Sequence, residues 1–241
     1  MIRIFLCLAL AFSSLLGKER KNLNRAKLVP WCIVPFDASK RNPEDRAKML
    51  VRLGLKRSAY DWRSQHVPEF EEEILQYKKH GIEFFAFWNF HEKAFELFQK
   101  HKIHPQIWKT LASPKSGTQE EKIRSAKDAM IPLAKRTAEI GCKLGLYNHG
   151  GWGGEPENLV AVCKALRAEV YDHVGIVYNW HHGHGRIEEW KQDLDLMLPY
   201  LHCLNLNGMN TGARPKILEL GKGEHEQKML CLLYTSDAAD E

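Results

Sequence analysis

Two stretches of the chain end an apolar run in side chains able to do chemistry. Leu144, Leu146 and Tyr147 lead into Asn148, His149, a glycine pair and Trp152, and residues 174–178 lead into Asn179, Trp180, His181, His182 and His184. Imidazole titrates near neutrality without assistance, so His149 and His182 are candidates for carrying a proton to and from a substrate. Loops of His and Gly serve equally well to hydrogen-bond their own backbone, and that structural role stays open for both. His91 and Glu155 lie nearby along the chain. Neutral imidazoles suit Zn²⁺ or another borderline metal, but His181, His182 and His184 have the spacing of no closed site, so no metal ligand is assigned.

Trp62, Trp88, Trp152 and Trp180 fall at or just past the ends of apolar segments, and Asn148, Asn179, Asn205 and Asn207 share that level. Sugar rings present C–H faces and hydroxyl edges, so indole plates with amide donors and acceptors make a carbohydrate pocket. The substrate-binding candidates are Trp88, Asn148, Trp152, Asn179, Trp180, Asn205 and Asn207. A lone Trp at such a place more often packs beneath a loop; several at one rim shift the balance towards a ligand.

The elements that must hold these groups follow from the apolar pattern. Short apolar segments at 28–36, 58–62, 82–88, 105–110, 143–148, 174–178 and 203–207 read as strands. Asp61, Arg63 and His66 cluster at the end of the second. Between them lie helical segments: one opening at Asn42-Pro43 and closing at Gly54, then 69–80, 92–101, a long one from the Thr118/Glu121 capping box to Ile140, 156–166 and 187–198. Strands that are apolar throughout belong to buried parallel sheets, and seven strands alternating with six helices are the signature of βα units. The fold class expected is α/β, a (β/α)₈ TIM barrel, with its functional groups at the strand C-termini. The eighth strand is not found before residue 230.

A chain of 241 residues with 44% hydrophobic content is enough for one large core. The net charge of +5 comes from Lys and Arg interspersed with acids on helices, which describes solvated faces and argues against a nucleic-acid footprint. Residues 1–17 join a positive start to a 14-residue apolar run, too short for an ordinary membrane span and suited to a signal peptide. An uncleaved anchor is the alternative. Export to the periplasm or beyond is expected, with residues 18–27 as linker, 28–230 as barrel, and no stable membrane insertion after cleavage. Residues 231–241, CLLYTSDAADE, break the pattern and back-translate readily into a DNA-library adapter, so the natural chain is expected to continue past Leu230. Cys32, Cys142, Cys163 and Cys203 lack CxxC spacing and read as buried thiols.

Over about residues 28–230 the chain resembles the sugar-phosphate isomerase/epimerase superfamily, the xylose-isomerase-like TIM barrels. LYNHGGW at 146–152 is similar to that family's strand-five motif, in which a metal-binding Glu precedes Asn, His and a Gly pair. GIVYNWHH at 175–182 is similar to the strand-six motif, an Asp followed three residues later by His. HCLNLN at 202–207 looks like the strand-seven segment, which carries a His and then an Asp, and LGKGE at 220–224 like the Gly-x-Gly-Glu before strand eight. His149 and His182 thus fall on family His positions, and Glu224 is a third catalytic candidate, with helix initiation as its other reading. The departures are Tyr147 for Glu, Asn179 for Asp, Asn205 for His and Asn207 for Asp.

Amides and a phenol are weak ligands for Mg²⁺ or Mn²⁺. The cofactor is therefore open: the family uses a divalent metal, and its ligand positions are replaced at Tyr147, Asn179 and Asn205. The resemblance implies a sugar isomerase/epimerase-like protein that acts on a small sugar or sugar derivative by proton transfer. The alternative is a non-catalytic carbohydrate-binding barrel. A DNA-repair endonuclease on the same fold would need acids that these strand ends lack.

Overall fold

Six of the seven apolar segments become strands of a single parallel sheet in the computed structural model, which describes residues 28–214, 217–226 and 229. The leader at 1–17, the linker at 18–27 and the tail at 231–241 lie outside the described residues. The strands are β1 (Arg57–Tyr60), β2 (Glu83–Trp88), β3 (Gln106–Thr110), β4 (Leu144–Tyr147), β5 (Val174–Asn179) and β6 (Leu201–Asn205), and they pair in sequence order throughout. α1 (Pro43–Arg52) precedes β1. α2 (Phe70–Lys79), α3 (Glu92–His101), α4 (Gln119–Glu139), α5 (Pro156–Ala168) and α6 (Trp190–Met197) connect each strand to the next. Strands added one after another in a single direction curl the sheet around an axis, and the result is the incomplete (β/α)₈ barrel that the alternation implies.

The segment at 28–36 is the exception. It was expected as the first strand, but turns occupy it, with Cys32 at φ 60°. Pro30 and Pro35 have no N–H to give a ladder, and what remains of the pairing is one hydrogen bond from Ala59 N to Pro30 O at 3.0 Å. That bond keeps the segment beside β1 and brings Trp31 into the barrel.

The sheet has two different faces. Outward side chains such as Tyr60, Phe87, Ile107, Leu146, Ile176 and Tyr178 join the helices in the large core. Inward ones form a smaller cluster of Ala59, Ala86, Trp108, Tyr147 and Val177, with Trp31 and Trp88 packed against it. Small residues make this inner layer feasible: a Cβ on Gly145 would stand 2.5 Å from Val177 Cγ2 and 3.0 Å from Trp108 Cδ1. Between the helices, Arg46 and Glu73 form a buried fork linking α1 to α2, with Nη2 2.6 Å from Oε2.

Local signals place the helix ends. Asn42 Oδ1 accepts from Asp45 N, the Thr118/Glu121 capping box is made in both directions, and Gly54, Gly81 and Gly141 take positive φ after α1, α2 and α4. α6 starts at Trp190 and not at Ile187, because residues 187–189 continue the 3₁₀ turn of His184–Arg186 as a non-helical turn. Cys32, Cys142, Cys163 and Cys203 are free thiols. Among the described residues no helix is long and apolar enough to cross a membrane.

Candidate functional site

The ends of β4 and β5 are locked to each other. Asn148 is buried at the end of β4, where its Nδ2 donates to Asn179 O at 3.0 Å and its Oδ1 accepts from Asn179 N at 2.6 Å. Asn179 then uses its own amide twice. Nδ2 donates to the Tyr147 hydroxyl at 2.7 Å, and Oδ1 accepts from His181 N at 3.0 Å. The second bond is a side-chain turn that bends the chain as it leaves β5. On the other strand, Gly150 and Gly151 at φ 84° and 65° fold the chain back, and Ser113 Oγ accepts from Gly153 N at 2.8 Å. These two bends set His149 and His182 against each other, with ring centroids 4.4 Å apart and planes tilted by 50°. Tyr147 lies beneath both, at 5.7 Å from His182 and 6.3 Å from His149.

The histidines line a basin of about 730 Å³ at the C-terminal ends of the strands. Trp31, Trp88 and Tyr147 make its aromatic wall, with Trp88 edge-on to Tyr147 at 4.9 Å. Asn179, Asn205 and Asn207 add amides along one side, and His181 joins the other two imidazoles. From β1 come Asp61 and Arg63. Asp61 is buried, its Oδ1 accepting from Arg63 Nη1 at 2.7 Å and its Oδ2 from the Cys32 thiol at 3.5 Å. Burial, followed by the charge of Asp61, pushes the Cys32 thiol up to about 12, so at neutral pH it is a hydrogen-bond donor and not a nucleophile.

Of the residues expected from sequence, His149, His182, Trp88, Asn179, Asn205 and Asn207 line the basin. Four do not. Asn148 is the latch already described. Trp180 follows Asn179, and neighbours at a strand end point to opposite faces, so it is wholly buried in the outer layer against Tyr178 and Trp190. Trp152 packs on the large core and donates Nε1 to Gln119 Oε1 at 2.9 Å. Glu224 lies outside the basin, where its carboxylate accepts from Thr211 N at 2.8 Å; that bond holds it below the usual carboxylate range. His184 is pinned to Asn210 O at 2.6 Å, His91 stands edge-on to Trp62, and Glu155 pairs with Arg186. Trp31, Asp61 and Arg63 were not expected in the site. Asp61 and Arg63 had a signal, as charges crowding the end of an apolar segment; Trp31 had none.

A divalent cation does not fit this donor set. Burial pushes the Tyr147 phenol well above its ordinary value, so it stays protonated. Both ends of the Asn179 amide are already engaged. Among the described residues no group of three or more His, Cys, Asp or Glu is arranged to hold a metal ion.

Solved structures supply a close geometric likeness. The 3-keto-D-glucoside 4-epimerase of E. coli superimposes with a TM-score of 0.60 at 14% identity, covering 82% of this chain and 84% of that one. D-Psicose 3-epimerase from Clostridium cellulolyticum H10, solved with D-tagatose, gives 0.58 at 10% identity over 82% and 76%. A xylose isomerase-like TIM barrel protein from Mycobacterium smegmatis, in complex with magnesium, gives 0.55 at 11% identity over 80% and 77%. The chain has the fold of these sugar epimerase-like TIM barrels. No family model and no curated protein matches the sequence. At 10–14% identity, what these structures share with the chain is the fold.

Proposed function

We propose that the barrel binds a small sugar at its mouth and isomerises it by proton transfer through His149 and His182. The observation that carries this reading is the contact between the two imidazoles at 4.4 Å, beside an aromatic wall and a row of amides. One imidazole takes the proton from the hydroxyl-bearing carbon next to the sugar's carbonyl; the C–H electron pair forms the C=C bond, the carbonyl π pair moves to its oxygen, and the other ring, as imidazolium, protonates that oxygen to give an enediol. The second imidazole then takes the proton of the other enediol hydroxyl, whose oxygen becomes the new carbonyl, while the first returns its proton to the former carbonyl carbon, leaving both rings as they began. Rings in contact reach the same face of a substrate, which suits transfer between adjacent carbons. Epimerisation at one carbon needs a base on each face, so isomerisation is the favoured outcome. Asn205 is within the same basin to receive the developing oxyanion, and Trp88 offers a plate for the apolar face of the sugar.

The test is incubation of the full chain with aldoses and ketoses in D₂O, followed by NMR. Deuterium is expected at the carbons flanking the carbonyl, and His149→Ala or His182→Ala is expected to slow its appearance by about 10²- to 10⁴-fold. No incorporation with any sugar overturns the catalytic reading. The amides of Asn205 and Asn207, which line the basin with Trp88, support a second reading: a non-catalytic barrel that binds sugar. Saturable binding without exchange, unchanged by chelator and weakened by Trp88→Ala, would establish it. The leader-like residues 1–17 support export, which fractionation with sizing of the mature chain would check.

A further inference from the structure

We infer that the sugar taken by this basin carries an anionic group, a carboxylate or a phosphate, and that Arg63 holds it. The inference rests on the carbohydrate reading above and adds the chemical class of the substrate. Asp61 is the one carboxylate lining the basin among the described residues, and both of its oxygens are engaged, by Arg63 and by the Cys32 thiol. Its side chain is 6% exposed where that of Arg63 is 45% exposed, so the pair turns its cationic member to solvent. The guanidinium is also fixed from two other sides. Nη1 donates to Trp62 O at 2.7 Å, and the group lies 5.7 Å from the centre of the Phe36 ring.

A held guanidinium is a preorganised fork for a planar carboxylate or a phosphate. Among the described residues no other carboxylate lines the basin to oppose an anion. Its remaining polar side chains are the neutral amides of Asn179, Asn205 and Asn207, the imidazoles of His149, His181 and His182, which bear no negative charge in either protonation state, and the Cys32 thiol and Tyr147 phenol, which burial keeps protonated at neutral pH. The scarcity of acids that leaves a divalent cation unheld is what an anionic substrate requires.

Calorimetric titration of the full chain with neutral sugars, the matching uronates and the matching 6-phosphates, in the gluco and galacto series, tests this. An anionic sugar is expected to bind roughly tenfold or more tightly than its neutral parent. Arg63→Gln is expected to erase that difference and Arg63→Lys to retain part of it, with thermal melts showing both variants folded. A preference for uronate over 6-phosphate, or the reverse, identifies the group. Should Arg63→Gln not fold, ionic strength reads the same point on the unaltered chain. Raising it from about 0.05 to 0.5 M is expected to weaken the anionic sugar and leave the neutral one unchanged. Neutral sugars binding as tightly as their anionic counterparts, or all three classes weakened equally by Arg63→Gln, would overturn the anionic assignment and leave the carbohydrate reading standing. Binding of none of them would remove both.

Discussion

Asn148 and Asn179 hold the strand ends that present the histidines, and their energetic weight is large for two amides. Asn148→Ala removes two buried hydrogen bonds and strands the Asn179 N–H without a partner. A loss of about 2–3 kcal/mol is expected in urea denaturation, since an unsatisfied buried donor adds its desolvation cost to the missing bond. Gly145→Ala tests the inner layer in the opposite sense. Its methyl would overlap Val177 and Trp108, and a loss of about 1–3 kcal/mol is expected, because an overfilled core pushes its neighbours off their rotamers. At this scale the sequence was partly legible. His149, His182 and the inward amides follow from an apolar run ending in polar groups. Trp152 and Trp180 do not separate from Trp88 on that basis, because strands buried on both faces carry no apolar–polar alternation to reveal which neighbour points inward.

Element by element, legibility depended on whether the backbone groups had partners. The helices were readable from caps and apolar periodicity, and β1 to β6 from compact apolar blocks. The segment at 28–36 has the composition of a strand, but its prolines cannot complete a ladder, so it serves as a flank to β1. Hydrogen exchange is expected to rank the elements accordingly. Amides of β4, fully buried and flanked by β3 and β5, are expected to exchange most slowly. β6, half-buried along its length and paired with β5 alone among the described residues, is expected to exchange faster. Equal protection of β4 and β6 would contradict the one-sided pairing. Thr118→Ala removes the capping box from α4 and is expected to lower stability by about 1 kcal/mol.

For the whole molecule, the barrel's inner side carries a pH signature. His202 on β6 packs against Gly175, where a Cβ would collide with its ring, and burial, reinforced by Lys143, Arg167 and His173, holds it down at about 4. The folded state thus refuses a proton that the unfolded chain accepts below about 6.5. The associated stability is complete above that pH and is lost as pH falls from about 6.5 towards 4, on the order of 3 kcal/mol across the window. His66 and His173, also depressed by burial, act in the same direction. Denaturation midpoints at pH 7, 6 and 5 are expected to fall steadily, and His202→Gln is expected to flatten the trend; a flat profile in the unaltered chain would contradict the buried neutral imidazole.

The barrel class was legible from the count and order of the blocks, because sequential βα units have few ways to pack. The geometry of the mouth was not, because it depends on two loop bends and a shared amide latch. Whether that mouth is one sugar site is read most directly by histidine NMR: the full chain, labelled in its imidazoles, with His149 and His182 assigned through their Gln variants and titrated with neutral and anionic sugars. Both signals are expected to shift together and saturate at a single Kd while those of His104 stay in place. A sugar that saturates the protein and moves neither signal, or a set of sugars that moves none, would contradict it.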